Sequence, residues 1–102
     1  MEVEMQVDTN DADTIKQILQ THLPNAKYWL FGSRIKGTAK PFSDLDIAII
    51  SSQPIPLETL STLEEAFANS DLPYKIDLVD FQRISTEFQS LIKNNHVELS
   101  II

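Results

Sequence analysis

The sequence predicts an α+β fold, an α/β-type sandwich in which a small mixed β-sheet is packed with helices. Three observations predict it. Segments with apolar residues at helical spacing alternate with short apolar runs, in the order helix, strand, turn, strand, helix, strand, helix. Proline, glycine and serine close the apolar runs. At 102 residues, 42% hydrophobic and 23% charged, the chain has enough apolar content for one core, and it reads as a single domain over residues 1–102.

Taken in order, Met1 to Asn10 reads as a loosely ordered arm. Ile15, Ile18, Leu19 and Leu23 then recur at helical spacing behind Asn10, Asp11 and Asp13, any of which could cap the helix start, and Pro24 and Asn25 stop it. Ala26 to Phe31, rich in aromatic and apolar residues, reads as a strand ending at Gly32. Asp44 to Ile50 is a second, strongly apolar strand, closed by Ser51, Ser52, Pro54 and Pro56. Leu57, Leu60, Leu63 and Phe67 mark a helix ending near Asn69. Pro73 precedes a third strand, Tyr74 to Asp80, and Ile84, Phe88, Leu91 and Ile92 mark a last helix. The tail from His96 to Ile102 is a candidate fourth strand.

Composition excludes several classes of function. There is no cysteine, and His22 and His96 are the only histidines, so neither a disulfide framework nor a Cys/His zinc site can be built. Any metal must be held by carboxylates. Fifteen Asp and Glu against 8 Lys and Arg give a net charge of −7, which disfavours a long nucleic acid, since that affinity comes from cations that displace counterions. No apolar run approaches the roughly 18 residues of a membrane span, and the acidic N-terminus lacks a signal-peptide pattern, so a cytoplasmic protein without a membrane partner is expected. Gly32 and Gly37 are the only glycines. They cannot form a dinucleotide loop, and Thr38 stands where a phosphate-binding loop of the ATPase type needs its lysine.

The functional signal lies between Phe31 and Asp46. A strand ends in Gly32-Ser33, a polar and basic segment with Arg34, Lys36, Thr38 and Lys40 follows, and the next strand opens with Ser43-Asp44-Leu45-Asp46. Residues two apart in a strand share a face, so Asp44 and Asp46 project together. Two neighbouring carboxylates in an apolar strand repel unless a cation sits between them. Oxygen-only ligation favours magnesium or manganese over zinc. Asp77, in the middle of the third strand, joins the cluster if that strand neighbours the second. Asp80 falls on the opposite face, so at most one of the two belongs to it. Gly32 allows close approach of a ligand to the Ser33 hydroxyl, and a helix starting after it would offer free amides to a phosphate.

Gly32-Ser33, ten intervening residues, Asp44-Leu45-Asp46 and the later Asp77 resemble the signature of the polymerase-beta-type nucleotidyltransferase superfamily. Over nearly its full length the chain is similar to the minimal nucleotidyltransferases, antitoxin partners of the helical HEPN toxins, including the runs Phe31-Gly32-Ser33-Arg34 and Ser43-Asp44-Leu45-Asp46-Ile47-Ala48-Ile49. The resemblance implies a nucleotidyltransferase fold. It implies that Gly32 and Ser33 hold the terminal phosphates of a nucleoside triphosphate, that Asp44 and Asp46 bind Mg2+ (or Mn2+), and that Asp77 completes the metal site and helps deprotonate the attacking hydroxyl. The implied reaction transfers AMP from ATP to a tyrosine of the partner HEPN toxin and releases pyrophosphate. Arg34 and Lys36 are candidates to neutralise triphosphate charge, with ordinary surface cations as the competing reading.

Bland readings stand beside these. Gly32-Ser33 alone is a tight turn, and His22 and His96 read as packed or helix-end residues. Tyr28, Trp29 and Phe31 read as strand packing, although an adenine base needs some apolar surface. Two alternatives to the toxin-modifying enzyme remain open. One is a nucleotide-binding module that neutralises its partner by contact, and the other is a small-molecule nucleotidyltransferase whose acceptor site a partner supplies.

Overall fold

The computed structural model describes residues 9–32 and 44–99. Helix α1 spans Thr9–His22, strand β1 Lys27–Phe31, strand β2 Leu45–Ile50 and helix α2 Leu57–Ala68. Strand β3 spans Ile76–Asp80, a single 3-10 turn Phe81–Arg83, helix α3 Thr86–Asn94 and strand β4 Val97–Leu99. The sheet has the order β3-β2-β1-β4. β1 pairs antiparallel with both β2 and β4, whereas β2 and β3 run parallel. Parallel neighbours need a crossover, and α2 supplies it.

Alternation along the strands sorts residues to two faces. Tyr28 and Leu30 of β1, Leu45, Ile47 and Ile49 of β2, Ile76 of β3 and Leu99 of β4 point to one face, where they meet Ile15 and Leu19 of α1 and Leu63 and Phe67 of α2. Each fully buried Leu or Ile there stabilises the fold by about 1.5–3 kcal/mol. The spacing of Ile15, Ile18, Leu19 and Leu23 therefore turns one stripe of α1 toward the sheet, as expected. The Tyr28 hydroxyl reaches back to the end of α1, donating to the carbonyls of Leu23 and, at 3.4 Å, of Leu19. These carbonyls already accept backbone amides, Leu19 from Leu23 at 2.7 Å and Leu23 from Ala26 at 3.5 Å, and the added hydroxyl contact joins the end of α1 to the sheet. Burial pushes the pKa of the Tyr28 phenol up, which keeps it a donor.

The second face carries Trp29 and Phe31 of β1 and Asp46 and Ala48 of β2. Here α3 packs, Phe88 meeting Phe31 edge to face with ring centroids 5.8 Å apart. Trp29 is stacked against His96 at 3.9 Å and meets Phe81 edge-on at 5.5 Å. β2 is thus covered on both sides, with Ala48 and Ile49 each wholly buried.

Several boundaries differ from expectation: α1 ends at His22, one residue before Leu23, and β1 and β2 each begin one residue later than expected, at Lys27 and Leu45. α1 already includes Thr9 and Asn10, so Asn10, Asp11 and Asp13 lie within the helix instead of capping it, and the arm expected over Met1 to Asn10 is two residues shorter at least. Asp11 in the first turn suits the positive end of the helix dipole. Tyr74 and Lys75 precede β3 instead of belonging to it; the Tyr74 hydroxyl donates to Asp11 at 3.3 Å. Ile84 falls outside the last helix, because Ser85 accepts from the Phe88 amide at 3.2 Å and caps α3. The fourth strand occupies Val97–Leu99 of the expected His96 to Ile102. Among the described residues, no helix is long and apolar enough to cross a membrane.

Candidate active site

The chemistry-bearing residues meet at one end of the sheet, where β1 finishes and β2 and β3 begin. Phe31 is paired with Asp46, and Asp46 with Asp77, so the two carboxylates stand directly opposite each other on neighbouring strands. Paired residues share a face of the sheet. Asp44 lies one residue before β2 and is exposed, Asp46 is half-buried and Asp77 is exposed.

Gly32 follows Phe31 with φ of 87°, in the left-handed region that favours glycine. A Cβ at this position would lie 2.1 Å from Oδ2 of Asp46. The turn therefore needs glycine twice over, for its backbone and for the space that the Asp46 carboxylate occupies.

The pKa of the Asp46 carboxyl is pushed up to about 6. Burial is the main cause, followed by the negative charges of Asp77 and Asp44 and a side-chain hydrogen bond with Asp77. The other two aspartates singled out in the sequence, Asp44 and Asp77, thus both act on Asp46 at this point. Among the described residues, no three His, Cys, Asp or Glu side chains converge into a ready-made metal cage. The pair that meets is Asp46 and Asp77, with Asp44 beside it. The donor set still fits a hard divalent cation: every ligand atom is a carboxylate oxygen, and the repulsion that raises Asp46 is what a cation would relieve.

Ser33, Arg34, Lys36 and Lys40, with the helix expected after Gly32, lie outside the described residues. Asp80, the competitor of Asp77, points to the opposite face, is 6% exposed and is held by both of its oxygens. Its carboxylate accepts from the amides of Ile55 at 2.8 Å and Gln82 at 3.0 Å and from Nε of Arg83 at 3.1 Å. Arg83 also donates to the Ile55 carbonyl at 3.0 Å. Asp80 is a structural clasp between the end of β3 and the entry to α2. The sequence carried a signal for this: an aspartate two residues before an amide it caps, in Asp80-Phe81-Gln82, is an Asx turn.

Two cavities lie near this end of the molecule. One, of about 280 Å³, sits on the α1/α2 side between the end of α2 and the start of β3, lined by Phe67, Leu72, Tyr74 and Ile76 among others. The sheet separates it from the carboxylates. The other, of about 180 Å³, adjoins Gly32 on the carboxylate side and had no counterpart in the sequence reading.

Residues 13–100 match the family described as polymerase beta, nucleotidyltransferase. The chain belongs to this family of nucleotidyltransferases. It is 40% identical over 94 residues to the probable protein adenylyltransferase MntA of Haemophilus influenzae, an alignment that spans 92% of this chain and 82% of that protein. A crystal structure of a toxin–antitoxin complex with AMP-PNP is similar with a TM-score of 0.77 and 27% identity, over 90% of this chain and 74% of that one. The structure of a tri-AMPylated Shewanella oneidensis HEPN toxin in complex with MNT antitoxin shares the fold, with a TM-score of 0.67 and 24% identity over 89% of this chain and 70% of that one. In this nucleotidyltransferase fold, the site at the end of β1 and the start of β2 and β3 unites Gly32 with the three aspartates that the sequence motif singled out.

Proposed function

We propose that this chain, acting in the cytoplasm as a single minimal nucleotidyltransferase domain, is the antitoxin of a toxin–antitoxin pair and transfers AMP from ATP to a tyrosine hydroxyl of its partner HEPN toxin. The observation that carries the reading is the placing of Asp46 against both Gly32 and Asp77 in a chain 40% identical to a probable protein adenylyltransferase. The AMP-PNP in one similar toxin–antitoxin complex and the AMPylated toxin in another support ATP as donor and the toxin as acceptor.

In this reading Gly32, lacking a side chain, lets the triphosphate approach the backbone, with Ser33, Arg34 and Lys36 as further phosphate contacts. Asp44, Asp46 and Asp77 would hold magnesium, or manganese in its place, which would supply charge neutralisation at the phosphates. The toxin's tyrosine oxygen attacks the α-phosphorus, the bond from that phosphorus to the bridging oxygen of the β-phosphate breaks, and pyrophosphate leaves. Asp77, exposed at the open end of the sheet, takes the tyrosine proton. Asp46, held by its strand neighbours, keeps the cluster in register with Gly32.

Incubation with the cognate toxin, ATP and magnesium tests this reading. The toxin should gain one or more AMP masses with release of pyrophosphate, and Asp46→Asn should reduce the labelling by more than the roughly 10–100-fold that loss of an outer partner of a metal ligand costs. Equal silencing of the toxin by wild type and Asp46→Asn, without an adduct in the mass spectrum, would replace the enzyme with a protein that acts by contact.

A further inference from the structure

The cavity of about 180 Å³ beside Gly32 is lined by Phe31, Gly32, Phe88, Leu91, Ile92 and Asn95. Its helical wall is a single stripe: Phe88, Leu91, Ile92 and Asn95 follow one another at intervals of three, one and three along α3 and its end. Ile92 is 1% exposed and seals the floor, whereas Leu91 is 56% exposed, so the apolar stripe continues to an open rim. Gly32 connects this cavity to the carboxylates, because it lines the cavity while its missing Cβ would touch Asp46. A ligand whose phosphates lie at Gly32 can therefore place its remaining part here.

The cavity is smaller than the roughly 300 Å³ at which pockets for whole small molecules begin, so it suits a fragment. The walls favour a flat, π-faced fragment, because two of the lining side chains, Phe31 and Phe88, are aromatic and hold each other edge to face at 79°. One polar residue marks the rim. The Asn95 amide donates from Nδ2 to the Leu91 carbonyl at 2.9 Å, which turns its donor toward the helix end and leaves Oδ1 as an acceptor. An apolar slot with a single acceptor complements a planar base bearing an exocyclic amino group.

We propose that this cavity receives the base of the nucleoside triphosphate, and that Asn95 Oδ1 selects a 6-amino purine over a 6-oxo purine. The proposal rests on the nucleotidyltransferase reading and names its base-specificity determinants. ATP and ITP differ at this position, with an amino group that donates in one and an oxygen that accepts in the other.

Calorimetric titration of the chain with ATP, ITP and tripolyphosphate in magnesium tests it without turnover. Wild type should bind ATP about tenfold more tightly than ITP, the discrimination expected of one hydrogen bond at a partly open rim. Asn95→Ala should bring that ratio near one. Phe88→Leu, which keeps the site apolar, should weaken both nucleotides several-fold and leave tripolyphosphate unchanged. Equal affinities for ATP and ITP in wild type, or the same loss for tripolyphosphate, would overturn the proposal. Unchanged nucleotide binding in Phe88→Leu, with a raised KM for the toxin, would also overturn it and assign the cavity to the acceptor. ATP binding that is the same in every variant refutes this inference alone; no ATP binding to wild type refutes the nucleotidyltransferase reading as well.

Discussion

Asp77 and Asp80 lie three residues apart on β3, and the surroundings of the two differ in every respect. Asp80 is buried, and its oxygens are met by two backbone amides and an arginine. Asp77 is exposed and faces another carboxylate, Asp46, across the parallel pair. A buried carboxylate that accepts three hydrogen bonds within its own chain offers little to a ligand. One set against a like charge is destabilising where it stands, which folding alone does not explain. On β3, burial accompanies the structural role of Asp80, and exposure the catalytic role proposed for Asp77.

Exchanging each aspartate for its neutral counterpart should pull the two roles apart, with the largest effects of any variants considered. Asp77→Asn should lower AMP transfer by a hundredfold or more, about 2.7 kcal/mol of transition-state stabilisation, without lowering the melting temperature. Asp80→Ala should cost about 3 kcal/mol of stability, because it strands the Ile55 and Gln82 amides and removes the ion pair with Arg83. Its activity per folded molecule should stay near wild type. Chemical denaturation beside a transfer assay on the same samples decides the matter; a stable, inactive Asp80 variant would reverse the assignment.

A smaller effect is expected where the turn meets the site. Gly32→Ala carries two separate penalties: about 1–2 kcal/mol for a side chain at positive φ, and displacement of the Asp46 carboxylate by the new Cβ. In an Asp46→Ala background the second penalty should vanish, so the double-mutant cycle should show a favourable coupling of about 0.5–3 kcal/mol, the range for side chains in contact. Additive losses would mean that Gly32 matters for its backbone alone.

Much of this was legible in the sequence, for reasons particular to each residue. Alternation put Asp44 with Asp46, and Asp77 opposite to Asp80, because the period of a strand is fixed by its backbone. The order of elements followed from Ile15-Leu19, Leu63-Phe67 and the prolines after Ile50. What periodicity cannot supply is which face meets which. The stripe Phe88-Leu91-Ile92 was readable as one side of a helix, but its closing over Phe31 depends on β4 pairing with β1 and bringing the chain back beside Trp29. The cavity beside Gly32 therefore had no trace in the sequence. The clasp at Asp80 was legible only in its local half, the Asx turn to Gln82; its other half joins residues 25 and 28 positions apart through Ile55.

The mildest test of the contrast is pH, which acts on Asp46, the carboxylate between the two environments. Its pKa stands at about 6 in the folded chain, above the ordinary 3.8. Between these values the folded protein holds a proton that the unfolded chain has released. The associated stability is therefore fully present below about 3.8, falls as pH rises, and is gone above about 6. Because Asp46 is only half-buried, solvent screening should reduce the swing to about 1 kcal/mol. Urea denaturation at pH 4 and pH 7 should show that much more loss between the two for wild type than for Asp46→Asn, which isolates this group from the chain's other carboxylates. Binding of magnesium with ATP should run the opposite way, strengthening as pH rises through 6 and levelling above it, because the cation competes with the same proton. Parallel stability profiles for wild type and Asp46→Asn would show that neither burial nor the charges of Asp77 and Asp44 raise Asp46, and would leave Asp77 as unremarkable a surface charge as its exposure alone suggests.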